Sequence, residues 1–322
     1  MPYNSKFYLG LPKFAAKKWH NRIPKTHFNV TPTMNPDMTL PQHPEFLQHS
    51  PCIQLPIIGY IRSPLSQKFG IPRQPNLVKT PAIIEFIPPF DTVAAFDGLE
   101  NFSHLWLIWQ FHHNKAQDSF KPQVRPPRLG GNEKIGVFAT RSMYRPANIG
   151  LSVVKLEKID SREGKVRLHI SGADMVDGTP IVDIKPYIGY SDSISEAKSG
   201  FAENSPVPKK VVFSDNFHQQ YSRICHQNLS PIPLNTADLS EPLAQLDPTS
   251  LAKASNLTQE DLDLIEQLIA QDPRPAYRQH EIHRVFTMRY KAFDIGFFMD
   301  TYRRLVIDTL LKVLPQTNEP SD

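Results

Sequence analysis

The sequence predicts a mostly β protein, in which an antiparallel sheet or barrel is followed by a smaller C-terminal region of mixed α and β structure. Two observations support this fold class. The chain has 31 prolines against 14 glycines, which implies many fixed turns and extended segments. Short apolar runs rich in β-branched residues also recur between residues 53 and 184, and Gly and Pro turn signals separate them at fairly regular intervals.

Each apolar run is predicted to form one strand of this sheet, because its length and composition suit a strand that is buried on at least one face. The predicted strands cover residues 53–61, 82–87, 105–111, 135–139, 151–159, 166–171 and 180–184. Between the second and third strands, residues 92–98 are predicted to form a short helix with Asp91 as its cap.

The C-terminal region begins with the clearest helix signal in the chain. Residues 258–270 carry apolar side chains at helical spacing, with Thr258 as N-cap and Asp261 as the acidic partner of a capping box. Further along, residues 286–298 are predicted to form a pair of strands and residues 302–313 a helix.

A proline-rich turn follows the predicted C-terminal helix. Pro273 and Pro275 forbid continuation of the helix, because each lacks a backbone N–H and has a fixed φ. Arg274 and Tyr277 are therefore expected on a stiff, exposed turn.

Composition limits the class of protein. The chain has 322 residues, of which 40% are hydrophobic, and this is enough for one large or two modest domains. No apolar run approaches the ~20 residues that a membrane-spanning helix needs. Cys52 and Cys225 are far apart and form no CxxC pair, so neither a disulfide scaffold nor a zinc knuckle is indicated. A soluble protein of a reducing, cytoplasmic compartment is predicted.

The chain is predicted to have four parts. Residues 1–52 form a basic extension that is expected to be poorly ordered, with a transit peptide, a nucleic-acid arm or a mistaken start codon as alternatives. Residues 53–190 form the β domain. Residues 191–257 are rich in Ser, Pro, Asn and Gln and are predicted to be a linker and insertion, and residues 258–322 form the small C-terminal domain.

Residues 121–145, here called the cationic loop, contain six Lys or Arg residues and a single acid, Glu133. Two consecutive glycines at 130–131 let backbone amides approach a ligand closely. This density of positive charge predicts binding of a phosphate or a carboxylate, whereas salt bridges on a solvated face are the alternative. The arginines concerned are Arg125, Arg128, Arg141 and Arg145.

Two other segments could carry ligand contacts. Arg73 and Gln74 lie between two prolines, so both side chains project from a nearly rigid backbone, although a solvated surface turn is the alternative. His112 and His113 follow a predicted strand and could hydrogen-bond a ligand or play structural roles. Eight residues of strand, roughly 26 Å, separate His104 from His112, so no metal site is predicted there.

Asp174 and Asp177 flank a turn that continues into Gly178-Thr179-Pro180. Two carboxylates on a turn could bind a ribose diol, an amine or a metal, or could cap the amides of the turn itself. The GxSxG, GxGxxG and Walker spacings are missing, so a hydrolase triad, a Rossmann site and a Walker loop are not supported.

Several of these segments follow one another in a characteristic order. They are residues 58–64, 68–74, 102–112, 125–149 and 178–187, with 272–277 near the C-terminus. In this combination they strongly resemble the TsaA-like (TrmO) tRNA methyltransferase family. The resemblance implies a single-sheeted β-barrel catalytic domain, S-adenosylmethionine as methyl donor, and a homodimer. It also implies tRNA as partner and N6-methylation of the adenosine just 3′ of the anticodon, commonly one that already carries a threonylcarbamoyl group.

The resemblance also implies roles for individual residues. The positions that match donor-binding positions of the family are Pro72, Arg73, Gln74, His112, His113, Arg141, Leu151, Asp174, Met175, Val176, Asp177, Gly178, Thr179 and Pro180. Asp174, Asp177 and His112 are the candidates for accepting the proton that the methylated amine loses. The expected RNA contacts are Arg125, Arg128, Arg145, Arg274 and Tyr277.

One departure from the family pattern concerns the end of the cationic loop. The family usually has Arg-Pro-Asn-Pro-Ile-Gly where this chain has Arg145-Pro146-Ala147-Asn148-Ile149-Gly150. An amide contact of the usual asparagine is therefore expected to be lost or displaced. A noncatalytic module that binds tRNA or S-adenosylmethionine is the alternative function.

Overall fold

The computed structural model describes residues 53–114, 117, 119–227 and 256–313, without the side chains of residues 163 and 225–227. The predicted N-terminal extension, residues 1–52, lies outside the described residues, as does most of the predicted insertion, residues 228–255. Within the described ranges, no helix is long and apolar enough to cross a membrane.

Six antiparallel strands close into a barrel, which confirms the predicted mostly β fold. Around the barrel the strands follow the order β1-β2-β7-β6-β3-β8. Their bounds are Gly59–Arg62 (β1), Pro81–Phe86 (β2), His104–Gln110 (β3), Ile149–Asp160 (β6), Arg167–Ser171 (β7) and Pro180–Pro186 (β8). Two short strands, Gln123–Val124 (β4) and Ile135–Gly136 (β5), form a separate ribbon in the connection from β3 to β6.

The alternation of β3 explains why it lines the barrel. Leu105, Leu107 and Trp109 are buried, and the residues between them are only partly buried, as expected for side chains that point to opposite faces of a strand. The buried Trp109 keeps its polar atom satisfied, because its ring N–H donates to Ser152 Oγ at 3.0 Å.

Two local predictions in the barrel region are wrong in detail. The predicted helix at 92–98 is a 3₁₀ turn, Val93–Phe96, whose N-cap position is Thr92 rather than Asp91 and which has no side-chain cap. The predicted strand at 135–139 is only the two residues of β5, followed by a 3₁₀ turn, Val137–Ala139. A pair of two-residue strands gains few ladder bonds, so turn geometry decides the conformation there.

The C-terminal unit is a four-stranded sheet with helices. The chain leaves the barrel through the short helix Gly189–Asp192 (α1) and then forms β9 (Val211–Phe213), α2 (Asp215–Gln227), α3 (Gln259–Ala270), β10 (Phe286–Tyr290), β11 (Phe293–Met299) and β12 (Leu305–Lys312). The strand order is β10-β11-β12-β9, and β9 and β12 are parallel. Because β9 and α2 belong to this unit, part of the predicted linker 191–257 is structural.

The capping box of α3 is confirmed. The Asp261 N–H donates to Thr258 Oγ1 at 3.3 Å, and the Thr258 N–H donates to the Asp261 carboxylate at 2.8 Å. The predicted helix at 302–313 is wrong, because β12 occupies this segment. Its buried residues Leu305, Ile307 and Leu310 fit a half-buried strand paired with β11 on one side and β9 on the other.

The connection from β1 to β2 packs into the C-terminal unit. Leu65 and Val78, both from this connection, are buried in the core of the C-terminal sheet. The backbone N–H of Lys291 donates to the Pro64 carbonyl at 2.7 Å, while the Lys291 ammonium pairs with the buried Asp261 carboxylate, also at 2.7 Å. Side chains of a barrel connection therefore form part of the hydrophobic core of the C-terminal sheet, whereas the barrel interior has a core of its own.

Three connections lie at the same end of the barrel. In an antiparallel barrel, consecutive connections alternate between its two ends. The pairs Tyr60 with Pro180, Pro81 with Ser171, and Gln110 with Ile149 place three strand ends next to three strand starts. The connections concerned are residues 63–80, 111–148 and 172–179.

Candidate active site

Arg141 and Asp174 form the electrostatic centre of this barrel end. Arg141 comes from the connection between β3 and β6, and its guanidinium donates to Gln74 Oε1, in the connection between β1 and β2, at 2.7 Å. Arg141 is also close enough for its positive charge to act on Asp174, where it offsets a small part of the rise in pKa that burial causes. The structure therefore brings together three of the predicted donor-binding residues, one from each connection.

Burial has the strongest effect on Asp174. It raises the pKa of the Asp174 carboxyl from its usual 3.8 to about 6, although the hydrogen bond from Ser152 and the charge of Arg141 act in the opposite direction. Ser152 Oγ donates to Asp174 Oδ1 at 2.7 Å and accepts from the Trp109 ring N–H. The Asp174 carboxylate is consequently oriented by a hydrogen-bonded chain that ends in the barrel core.

Asp177 has a structural role in this loop. Its carboxylate accepts from the Ser63 N–H at 2.9 Å, and its own N–H donates to the Leu65 carbonyl at 2.8 Å. Burial raises the pKa of Asp177 as well. The Asp177 carboxylate therefore joins this turn to the connection between β1 and β2, and its role toward a ligand stays a prediction.

Most other side chains of the turn 174–180 are buried. Met175 and Thr179 are almost fully buried, and the Thr179 hydroxyl donates to the Val176 carbonyl at 2.7 Å. The Gly178 N–H donates to the Ile61 carbonyl in β1 at 2.8 Å. Pro180 is also buried where β8 begins, whereas Leu151 on β6 is 54% exposed.

His112 and His113 lie together at the end of β3. Their ring centroids are 4.0 Å apart, and the Lys68 ammonium donates to the His113 carbonyl at 2.5 Å and to Asn114 Oδ1 at 2.6 Å. Burial, followed by the nearby His113 and Lys68, lowers the pKa of His112 to about 4. His112 is therefore neutral at pH 7, able to hydrogen-bond but a weak base.

Arg73 and Pro72 lie on the side of the site that faces the C-terminal unit. Pro72 is buried, and the Arg73 guanidinium donates to the Arg274 carbonyl at 3.1 Å and to the Asp272 carbonyl at 3.4 Å. Arg73 is exposed. Among the described residues, its side chain makes no hydrogen bond to the other predicted donor residues Gln74, Arg141, Asp174 and Asp177.

The expectation that Arg274 is exposed is wrong. Its side chain is fully buried and pairs with both carboxylate oxygens of Asp272, at 2.8 and 3.0 Å. It also donates to the carbonyls of Gln279 and Glu281. Tyr277, by contrast, is 67% exposed. Arg274 can therefore reach RNA only if the turn opens, and its observed role is to hold that turn together.

The cationic loop is largely exposed, with two consecutive left-handed residues, Gly130 and Gly131, at its tip. Arg125 and Arg128 point away from the barrel core, and Arg128 donates to the Asn204 carbonyl. Arg145 donates to the carbonyls of Thr140 and Val137 at 2.6 and 3.3 Å. These arginines are available to a ligand, because their partners are neutral oxygens.

The predicted RNA contacts omitted two exposed phenylalanines, one in the cationic loop and one immediately before it. Phe138 is 70% exposed and Phe120 is 42% exposed, and their rings are stacked. The signal was present in the sequence, because aromatic residues interleaved with cations are typical of surfaces that bind single-stranded nucleic acid.

The altered Ala147-Asn148 segment still completes the entry into β6. Asn148 has a φ of 47°, a left-handed conformation that asparagine tolerates better than most residues. Its carbonyl accepts from the Phe111 N–H at 2.9 Å. Asn148 therefore acts through its backbone here. Nowhere in the described ranges do three or more His, Cys, Asp or Glu side chains gather as a metal site would require.

Comparison with known proteins gives consistent results. Residues 60–193 match the family described as the tRNA-methyltransferase O N-terminal domain, and residues 239–311 match the TrmO C-terminal domain. A crystal structure of TrmO from Pseudomonas aeruginosa superposes with a TM-score of 0.57 at 31% identity, covering 81% of this chain and 99% of that one.

Two curated relatives cover most of the described region. A Pseudomonas aeruginosa protein, RcsF, whose name describes an S-adenosylmethionine-dependent methyltransferase, is 41% identical over 239 residues, which are 74% of this chain and 89% of that protein. An Escherichia coli protein named tRNA (adenine(37)-N6)-methyltransferase is 38% identical over 250 residues, which are 74% of this chain and 93% of that protein.

Proposed function

Because the chain belongs to the tRNA-methyltransferase O family, we propose that it transfers a methyl group from S-adenosylmethionine to N6 of adenosine 37 in tRNA. The observation that carries this proposal is the convergence of Gln74, Arg141 and Asp174 from three connections at one barrel end. They are three of the positions at which the sequence resembles the donor-binding residues of the family.

The charges at this barrel end fit S-adenosylmethionine. The donor carries a carboxylate, an ammonium, a sulfonium and a ribose diol. Arg141, held by Gln74, suits the carboxylate, whereas the Asp174 carboxylate suits a cation or a diol. Leu151 is exposed on β6, on the face opposite to Ser152, so it does not line this part of the site. The residues present are therefore compatible with the donor without a metal ion as a bridge.

The chemistry asks the protein mainly for position and electrostatics. When bound, S-adenosylmethionine supplies an activated methyl group that an amine can take by direct displacement. Asp174 is the group we assign to the proton that the amine loses, because burial raises its pKa to about 6, which makes it a stronger base than His112. Ser152 keeps the Asp174 carboxylate oriented.

The substrate and assembly can be specified further. We propose that the preferred substrate is tRNA whose adenosine 37 already carries the threonylcarbamoyl group, so that the product carries both modifications. The cationic loop and Tyr277 are the proposed RNA contacts, and a homodimer in the cytoplasm is the proposed assembly and location. These statements rest on the resemblance of the motifs to the family and on the exposed cations of the loop.

A methyl-transfer assay tests the activity. Purified protein, radiolabelled S-adenosylmethionine and tRNA with or without the threonylcarbamoyl group should give label in tRNA, with the modified tRNA the better substrate. Transfer to both tRNAs at equal rates would contradict the substrate preference alone. Donor and tRNA binding without any transfer would favour the noncatalytic module, for which the Ala147-Asn148 departure is the specific sequence feature.

Isothermal calorimetry tests the donor site separately. Arg141→Ala should weaken binding of S-adenosylmethionine by about tenfold or more, because a charge-assisted contact to the donor carboxylate is lost. Lys165→Ala is the matched control, since it removes one exposed positive charge between β6 and β7, at the opposite barrel end. Equal donor affinity of both variants would contradict the assignment of Arg141.

A further inference from the structure

Two phenylalanine rings form an exposed stack on the surface of the connection between β3 and β6. The centroids of Phe120 and Phe138, here called the aromatic pair, are 6.1 Å apart with an angle of 29° between the rings. Phe138 is 70% exposed and Phe120 is 42% exposed. Folding therefore leaves both rings largely in water, although burial would stabilise them by the hydrophobic effect.

The aromatic pair is held in place by backbone bonds around it. Val137, beside Phe138, is buried, and its N–H donates to the Pro122 carbonyl at 2.8 Å, which ties the segment of Phe138 to that of Phe120. The guanidinium of Arg145 lies 5.7 Å from the centroid of the Phe138 ring. The rings are thus supported by a cation–π contact and a 3₁₀ turn rather than by a hydrophobic core.

The segment that carries Phe138 has a net positive charge. Residues 121–145 contain six Lys or Arg residues and one acid, Glu133. In the part of the chain that the structure describes, no carboxylate lies within ion-pair distance of any of these six cations. Three of these cations, Arg128, Arg141 and Arg145, donate hydrogen bonds to neutral oxygens. Such a surface suits a polyanion.

The position of the pair links it to the proposed donor site. Phe138 precedes Arg141 by three residues, and the loop containing both lies at the barrel end where Arg141 interacts with Asp174. A nucleotide stacked on Phe138 would therefore lie on the same loop as the proposed methyl-donor contact.

We propose that the aromatic pair is a stacking platform for an unpaired base of the RNA loop that contains the target adenosine, with the surrounding cations on neighbouring phosphates. This inference rests on the proposed function and adds the surface that holds the RNA loop open. Single-stranded RNA fits both features, because each unstacked base offers a π face and each nucleotide carries a phosphate. The paired bases of a duplex offer no such face.

Binding of a synthetic RNA hairpin with an anticodon-type loop tests the platform. Phe138→Ala should weaken binding of the hairpin by about 5-fold to 100-fold, the range expected for one lost base–aromatic stack. Phe138→Trp should retain binding, and its new indole emission should be quenched when the hairpin is added. Phe102→Ala, which removes a ring that is 37% exposed in the connection between β2 and β3, is the matched control and should bind like the parent.

Three further readouts separate the alternatives. A blunt RNA duplex should bind Phe138→Ala and the parent equally, and both should bind S-adenosylmethionine equally in calorimetry. Unchanged hairpin affinity of Phe138→Ala, in a parent that methylates tRNA, would overturn the platform and leave the proposed function intact. A changed donor affinity of Phe138→Ala would assign the aromatic pair to the donor site. A changed oligomeric state would assign it to an interface between copies of the chain. Either result would overturn the proposal. A parent that neither binds the hairpin nor methylates tRNA would overturn both.

Discussion

Asp174 shows how one residue acquires a chemical role from its surroundings. Its carboxyl is half-buried, and desolvation outweighs both the Ser152 hydrogen bond and the charge of Arg141, so its pKa rises to about 6. At pH 7 the group is still mostly ionised, but it is a stronger base than an ordinary carboxylate. A proton acceptor needs this combination.

Asp174→Asn should lower kcat by about 10²–10⁴ and also raise the free energy of unfolding at pH 7. A carboxyl whose pKa is raised on folding binds its proton more tightly in the native state, so it reduces stability as the pH rises from about 4 to about 6. Removing it should therefore stabilise the protein at pH 7 by about 1–3 kcal/mol, allowing for partial exposure.

Urea unfolding at several pH values measures this effect. The stability difference between Asp174→Asn and the parent should shrink as the pH falls from 7 to 4. Asp263→Asn, in an exposed carboxyl on α3, should leave the stability unchanged within about 0.5 kcal/mol. A variant Asp174→Asn that is less stable than the parent at pH 7 would show that the carboxylate is not under desolvation strain.

At the scale of elements, the turn 272–277 connects the C-terminal unit to the proposed donor site. Arg274 is buried and organises the turn through Asp272, Gln279 and Glu281, while the carbonyl of Arg274 itself accepts from Arg73. Arg274, which was predicted to contact RNA, therefore supports Arg73, which was predicted to contact the donor. The backbone direction of the turn decides where the Arg73 guanidinium is held.

Arg274→Met should lower the free energy of unfolding by about 3–5 kcal/mol, because the Asp272 carboxylate remains buried without its partner. The double variant Asp272→Asn with Arg274→Met should recover part of this loss, because asparagine removes the unpaired charge and tolerates the φ of 48° at this position. Arg278→Ala, which removes a neighbouring and only partly buried arginine, is the control and should cost about 0.5 kcal/mol or less.

The milder variant Arg274→Lys tests the link to the donor. It should weaken donor binding in calorimetry, since a lysine cannot pair bidentately and the carbonyls that anchor Arg73 lose their fixed direction. An Arg274→Lys variant that binds donor like the parent but binds tRNA poorly would support the original assignment to RNA.

Local signals predicted some elements and not others. The α3 helix was predictable because Thr258 and Asp261 satisfy each other within one turn of chain. The strand β12 was not, because a short run of Leu, Val and Ile suits either a strand or a helix, and the pairing with β11 and β9 decides it. The burial of Arg274 depends on the carbonyls of Gln279 and Glu281, whose directions the sequence does not reveal.

At the scale of the whole molecule, the barrel and the C-terminal sheet have separate hydrophobic cores, which the connection between β1 and β2 joins. Leu65 comes from a barrel connection but is fully buried among side chains of the C-terminal sheet. The candidate donor residues were marked by motif spacing, and their contact with the donor stays a prediction. The hydrogen bond between Gln74 and Arg141 was not predictable, because it joins residues of two different connections that are 67 positions apart in sequence.

Unfolding should consequently be a single cooperative transition. Trp106 and Trp109 report on the barrel by fluorescence, whereas far-UV circular dichroism of α2 and α3 reports on the C-terminal unit. Leu65→Ala should lower the free energy of unfolding by about 2–5 kcal/mol and shift both signals together. Leu311→Ala, at a position that is 61% exposed, should shift neither. Separate transitions for the two probes would show that the connection between β1 and β2 does not couple the two units.

The central claim is that one end of this barrel methylates adenosine 37 of tRNA. The most direct measurement uses S-adenosylmethionine with an isotopically heavy methyl group, followed by mass spectrometry of nucleosides and of mapped fragments from the reacted tRNA. The account predicts the heavy methyl on N6 of adenosine 37, and its loss in Arg141→Ala and Asp174→Asn. A heavy methyl at any other nucleotide, or none in the tRNA, would contradict it.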